Sequence, residues 1–131
     1  MKKTNLLNSE ISFTIAKMGH TDQLTICDCG LPISESNHRI DLAVTEGVPS
    51  FLDVLDTVLT ELEVQKIFLA REIEKASPEL MKAVIKRFPD TPVEFINHED
   101  LKKQVKSSKA VIRTGECTSF ANIILESGVV F

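Results

Sequence analysis

Along the chain, apolar positions switch repeatedly between a spacing of three to four residues and a spacing of two, the pattern of a layered α/β domain. Asn8 can cap a first helix in which Ile11, Ile15 and Met18 share one face, with Gly19 free to close it in a left-handed conformation. Gln23 to Cys27 reads as a short buried strand. From Asp28 to Val48 the chain holds Gly30, Pro32, Asn37 and Gly47 and no sustained period, so it is mainly loop, with an extended piece at Ile40 to Val44. A loop that long in a compact domain points to function.

Ser50 and Asp53 form a capping box for a helix to about Thr60, with Phe51, Val54, Leu55 and Val58 facing inward. Val64 to Leu69 is the next strand. Ser77-Pro78 then places serine at a helix cap and proline at the first helical position, ahead of a stripe of Leu80, Met81, Val84, Ile85 and Phe88. Val93 to Ile96 is strand-like, and Asn97 with Asp100 caps a helix to about Val105. Ala110 to Ile112, Asn122 to Leu125 and Val129 to Phe131 supply the last strands. With no repeat or linker, the expectation is a single α/β domain over residues 1–131, in three layers, with a central mostly parallel sheet flanked by helices.

Composition adds exclusions. A net charge of −4 argues against a nucleic-acid or anionic-membrane partner, and Lys102, Lys103 and Lys106 read as the solvated face of a helix. Lys2 and Lys3 are followed by Asn5, Asn8, Ser9 and Glu10 where a signal peptide needs an apolar run, and segments such as Ala110-Val111-Ile112 fall far short of the roughly 20 residues that span a bilayer. A soluble intracellular protein is expected. Cys27, Cys29 and Cys117 are odd in number and read as reduced thiols.

The chain has no phosphate-binding glycine loop, no serine elbow and no His-x-x-x-His or Cys-x-x-Cys pair. What remains is a set of polar residues at strand and helix ends. His20, within Gly19-His20-Thr21-Asp22, can exchange protons near neutral pH with Asp22 to orient it, or can simply cap a helix end. Asp28, at the end of an apolar strand, either holds a ligand or caps the loop backbone. His98 falls in the first turn of a helix, which favours a neutral imidazole able to bond hydroxyls; it and His38 are otherwise surface residues. Cys27 and Cys29, two apart on a strand, have the spacing of half a metal site but read as small core-filling side chains. Glu116 beside Cys117 would raise that thiol's pKa.

Taken in order, Leu7-Asn8-Ser9, Gly19-His20-Thr21-Asp22, Asp28 with Gly30-Leu31-Pro32, Arg39-Ile40-Asp41, Gly47-Val48-Pro49-Ser50-Phe51, His98-Glu99, Ile112-Arg113-Thr114-Gly115-Glu116, Ala121-Asn122-Ile123-Ile124-Leu125 and Gly128-Val129-Val130-Phe131 run from end to end. The ordered set resembles the D-ribose pyranase family, which includes the related fucose mutarotases. The resemblance implies a cytoplasmic isomerase without metal or cofactor that exchanges the pyranose and furanose forms of D-ribose. It implies His20 as proton donor, Asp28 and His98 as sugar-holding residues, and sugar contact from Phe120, Ala121 and Asn122. It further implies a homo-oligomer, a decamer of two pentameric rings with sites at subunit boundaries, for which the apolar C-terminus supplies buriable surface. Phe120 stands where the family usually has Tyr, and Cys29 where Ala is common. The competing readings are a mutarotase for another sugar such as fucose and a non-catalytic sugar-binding ring subunit.

Overall fold

The computed structural model describes every residue from Met1 to Phe131. Helix α1 (Ser9–Lys17) starts where Asn8 accepts the Ile11 N–H, and β1 (Gln23–Cys27) follows. Then come β2 (Arg39–Asp41), α2 (Phe51–Val58), β3 (Val64–Ala70), α3 (Ile73–Ala76), α4 (Pro78–Ile85), β4 (Val93–Ile96), α5 (His98–Val105), β5 (Ala110–Arg113) and β6 (Ile123–Ser127). The strands form one sheet in the order β2-β5-β1-β6-β3-β4. β1 pairs parallel with β5, β5 with β2 and β3 with β4, while β6 lies antiparallel between β1 and β3. Five strands therefore share one direction and β6 alone opposes them.

Period-two alternation sorts the strand residues onto two faces. Leu24 and Ile26, Ile67 and Leu69, Ala110 and Ile112, Ile123 and Leu125 join Ile11 of α1, Phe51, Val54, Leu55 and Val58 of α2, and Val84 of α4 in one core. Cys27, Phe68, Ala70, Val111 and Ile124 meet Leu101 and Val105 of α5 on the opposite face. Helices thus cover both sides, the three layers the pattern predicts.

Four local expectations are corrected. Gly19 is not left-handed; the positive φ falls two residues later, at Thr21 (φ 69°), because Asp22 Oδ2 accepts the Gly19 N–H and closes the turn itself. Ser77 stands at the cap position of α4 with Pro78 first in the helix, as expected, but its hydroxyl makes no capping bond: it donates to Ser119 O at 2.8 Å, and the short α3, absent from the expected elements, precedes it. The extended piece predicted at Ile40 to Val44 is a three-residue edge strand starting at Arg39. Val129 to Phe131 is no strand, and Val130 and Phe131 stand 85% and 102% exposed.

Candidate active site

Because five strands are parallel, their carboxyl ends, together with the amino end of β6, make one edge of the sheet, where open α/β folds place ligand sites. Asp28 leaves β1 at this edge and Asn122 enters β6 beside it. Asn122 is fully buried; its Nδ2 donates to Asp28 Oδ2 at 2.9 Å and its Oδ1 accepts the Asp28 N–H at 3.0 Å. The other carboxylate oxygen accepts the Gly30 N–H at 2.9 Å. The side chain thus caps its loop and stays half-buried at the wall of a cleft of about 270 Å³ lined by Asp28, Gly30, Leu31, Pro32, His98 and Phe120 with Ser119.

His98 is the first residue of α5, and its N–H donates to both oxygens of Glu72 at 3.0 Å. That bond chiefly holds the Glu72 carboxyl below its ordinary range. The His98 ring meets Phe120 edge to face at 5.0 Å, and its Nδ1 is buried without a partner. A buried unpaired imidazole nitrogen beside an open cleft is a hydrogen-bonding position left for a ligand. Phe120 itself is left-handed (φ 61°), a conformation a bulky side chain rarely adopts and one that concentrates at functional sites. It is held there by Asn122 N–H bonding back to its carbonyl at 2.8 Å. Ala121 points into the core, leaving only its backbone for any ligand.

His20 is elsewhere. It is exposed at the opposite edge, where β1 and β3 begin and β6 ends. β1 has five residues, so at about 3.3 Å per residue the two edges stand roughly 17 Å apart. The structure brings Asp28, His98, Phe120 and Asn122 together and leaves His20 apart from them. Nor does Asp22 orient His20: it is occupied by Gly19 and by Lys109 at 3.2 Å, and it is held below the ordinary carboxylate range chiefly by the Gly19 N–H. The partner of His20 is Gln65, whose Oε1 lies 2.9 Å from Nε2. Gln65 Nε2 donates to Glu126 Oε1 at 2.9 Å, Gln23 donates to Glu126 Oε2 at 3.1 Å, and Gln104 donates to Gln23 at 3.2 Å. Because Glu126 takes the amide NH₂, the Gln65 oxygen faces His20 and assigns the ring hydrogen to Nε2.

Gln65, Glu126 and Glu72 were invisible as site residues in the sequence, since their partners lie 26 to 103 positions away. Glu116 was likewise missed as a brace: it accepts the Phe51 N–H at the start of α2 and the Thr118 N–H and hydroxyl. Burial would raise its pKa, but these bonds outweigh burial and hold it low. Cys27 is buried, and burial pushes its thiol up to about 12. His38 faces Glu10 at 3.5 Å on the surface, and Lys102 and Lys103 pair with Glu99 and Asp100 along α5. No helix is long and apolar enough to cross a membrane.

With this geometry in place, likeness to known proteins becomes informative. A D-ribose pyranase of Clostridium perfringens is 56% identical over 131 residues, the whole of both chains, and one of Lactiplantibacillus plantarum is 54% identical over the same span. The RbsD of Bacillus subtilis, solved in complex with D-ribose, superimposes with a TM-score of 0.97 at 40% identity, covering both chains entirely. A fucose mutarotase of Streptococcus pneumoniae, solved with L-fucose, shares the fold at a TM-score of 0.80 and 22% identity over both full chains. The model of one family spans residues 1–130, and on this evidence the chain belongs to the RbsD / FucU transport protein family.

Proposed function

We propose that this chain is a D-ribose pyranase, an isomerase that interconverts the pyranose and furanose forms of free D-ribose by general acid–base ring opening and closing. The observation that carries the reading is the end-to-end likeness to D-ribose pyranases. It is supported by a carboxyl-edge cleft whose polar groups suit a neutral sugar: a braced carboxylate, an unpartnered imidazole nitrogen and an aromatic ring.

Opening a hemiacetal ring takes a proton from the anomeric hydroxyl and delivers one to the ring oxygen; closing through a different hydroxyl reverses the exchange. The bond between the anomeric carbon and the ring oxygen breaks as the first proton leaves and the second arrives, leaving an open-chain carbonyl, and a new C–O bond forms on closure. No electrons are exchanged with a partner, so the reading calls for no cofactor. Asp28, held by Asn122 and the Gly30 N–H, accepts from sugar hydroxyls, His98 bonds a second hydroxyl, and Phe120 packs against the apolar side of the sugar. Ala121 contributes through its backbone. His20 is the proton donor. On this reading a neighbouring copy brings its amino edge to the cleft, which the separation of His20 from Asp28 within one chain supports. We therefore read the protein as a cytoplasmic homo-oligomer of single-domain chains spanning residues 1–131, a decamer of two pentameric rings. Exposed Leu7, Phe13, Val44, Val130 and Phe131 offer apolar surface for such contacts.

Saturation-transfer NMR on ribose and on fucose, with and without the protein, tests this. Faster exchange between ribose pyranose and furanose signals is expected. Saturable ribose binding without faster exchange would make the chain a binding subunit, and acceleration confined to fucose would reassign the sugar.

A further inference from the structure

Two of the three cysteines meet in a different depression from the one that Asp28 and His98 line. Cys29 Sγ lies 3.3 Å from Cys117 Sγ although the residues are 88 positions apart. The contact is built by the backbone. Cys29 N–H donates to Glu116 O at 2.8 Å, Arg113 Nε donates to Cys29 O at 3.1 Å, and Thr114 N–H donates to Cys27 O at 3.0 Å. These bonds extend the parallel β1–β5 pairing past its last ladder position and carry the two thiols side by side. Both thiols line an open depression of about 270 Å³ with Val44, Glu46, Arg113 and Gly115. Neither is bonded to another cysteine, and Cys117 is exposed.

We propose that Cys29 and Cys117 form a reversible dithiol modification site that a small peroxide converts to an intrachain disulfide. One thiol takes an oxygen atom from hydrogen peroxide to become a sulfenic acid, the O–O bond breaks, and one water leaves. The neighbouring sulfur then displaces that oxygen as a second water and closes the S–S bond. The two thiols lose two electrons and two hydrogens in all, and the peroxide is reduced by the same two electrons. The Cys117 thiol is held above its ordinary pKa, first by its contact with the Cys29 sulfur, then by burial and by the charges of Cys29 and Glu46. The buried Cys27 takes no part. The cross-link would join the turn carrying Asp28 to the loop leading to Phe120. The site is independent of which sugar the cleft accepts.

Treating the assembled full-length protein with a modest excess of hydrogen peroxide, followed by denaturing alkylation and a non-reducing peptide map, tests it. The expected result is loss of two of the three free thiols, a linked Cys29–Cys117 peptide lighter by two hydrogens, and full recovery with dithiothreitol. Cys27→Ala should retain the linkage, whereas Cys29→Ala and Cys117→Ser should abolish it in proteins with unchanged circular dichroism. The proposal is overturned if both thiols stay alkylatable in the wild type. It is equally overturned if Cys117 is oxidised to the same extent with and without Cys29, or if the linkage found joins two chains.

Discussion

The carboxyl and amino edges of the sheet treat their polar residues differently. At the carboxyl edge, Asp28 and His98 are held by buried or half-buried partners: the Asn122 side chain bonds both the backbone N–H and the carboxylate of Asp28, and the Glu72 carboxylate accepts the backbone N–H of His98. One imidazole nitrogen remains unpaired there. At the amino edge, His20 is exposed and tied by a single bond to an amide, itself the end of a chain through Gln65, Glu126, Gln23 and Gln104. Each edge also has one strained non-glycine residue, Phe120 at the first and Thr21 at the second. A binding surface works by fixing several groups in advance, because ordering them at the moment of binding costs affinity. A proton donor of the kind proposed for His20 needs only one direction of approach. On the proposed reading, the contrast is that of a preorganised receptor and an acid delivered by a neighbouring copy.

The largest effect should come from breaking the delivered half. His20→Ala is expected to slow ribose ring exchange by about tenfold or more at saturating sugar, with folding unchanged, since the side chain is exposed. Full exchange in that variant would move the acid role to Asp28. The same variant sharpens the comparison when co-assembled with Asp28→Asn: mixed oligomers should regain activity that neither variant shows alone. No recovery in demonstrably mixed assemblies would place both halves of the site in one chain.

Disturbing the receptor half should cost about 1–3 kcal/mol. Asp28→Asn removes a charged acceptor and should raise the ribose Kd, read by calorimetry. Asn122→Ala leaves the Asp28 N–H and one carboxylate oxygen unpaired and should lower the Tm as well as the affinity.

A comparable loss, confined to stability, is expected of Gly115→Ala. A Cβ there would stand 2.4 Å from Val48 O and 2.5 Å from Thr45 O, both backbone atoms. Overpacking of this kind costs about 1–3 kcal/mol. An unchanged Tm would show that the Thr45–Val48 turn yields easily.

The smallest effect concerns acid. Glu72, Asp22 and Glu116 all have folded-state pKa values below their ordinary ones. The stability they add is therefore present above the unfolded value, about 4 for such carboxyls, and is lost as pH falls through the folded value. Glu116→Gln should lower the Tm modestly at neutral pH, where that stability is present, and so flatten its fall below about pH 4. An unaltered acid slope would assign that fall to the other carboxylates.

Much of the fold was legible along the chain. β1 and β4 and the caps at Asn8, Ser50 and Asn97 follow from short-range pattern and hydrogen-bonding chemistry, and the structure places them as read. The exceptions share a cause. Ser77 resembles a cap but gives its hydroxyl to Ser119, 42 residues on, and Val129 to Phe131 has strand composition but no neighbouring strand to pair with. Local propensity yields where a distant partner is present, or missing.

The chain itself determined the residue types: a histidine between a helix and a strand, a carboxylate ending an apolar strand, a histidine opening a helix, and a glycine where two backbones touch. Tertiary structure alone decided which of these meet. Parallel strands carry every carboxyl end to one edge, so Asp28, His98 and Asn122 converge although they are up to 94 positions apart, while His20, only eight positions before Asp28, is carried to the other edge. The same long-range pairing set Cys29 against Cys117. Distance along the sequence does not measure distance in space, because an extended strand separates its ends by its full length and a sheet joins what the chain keeps apart.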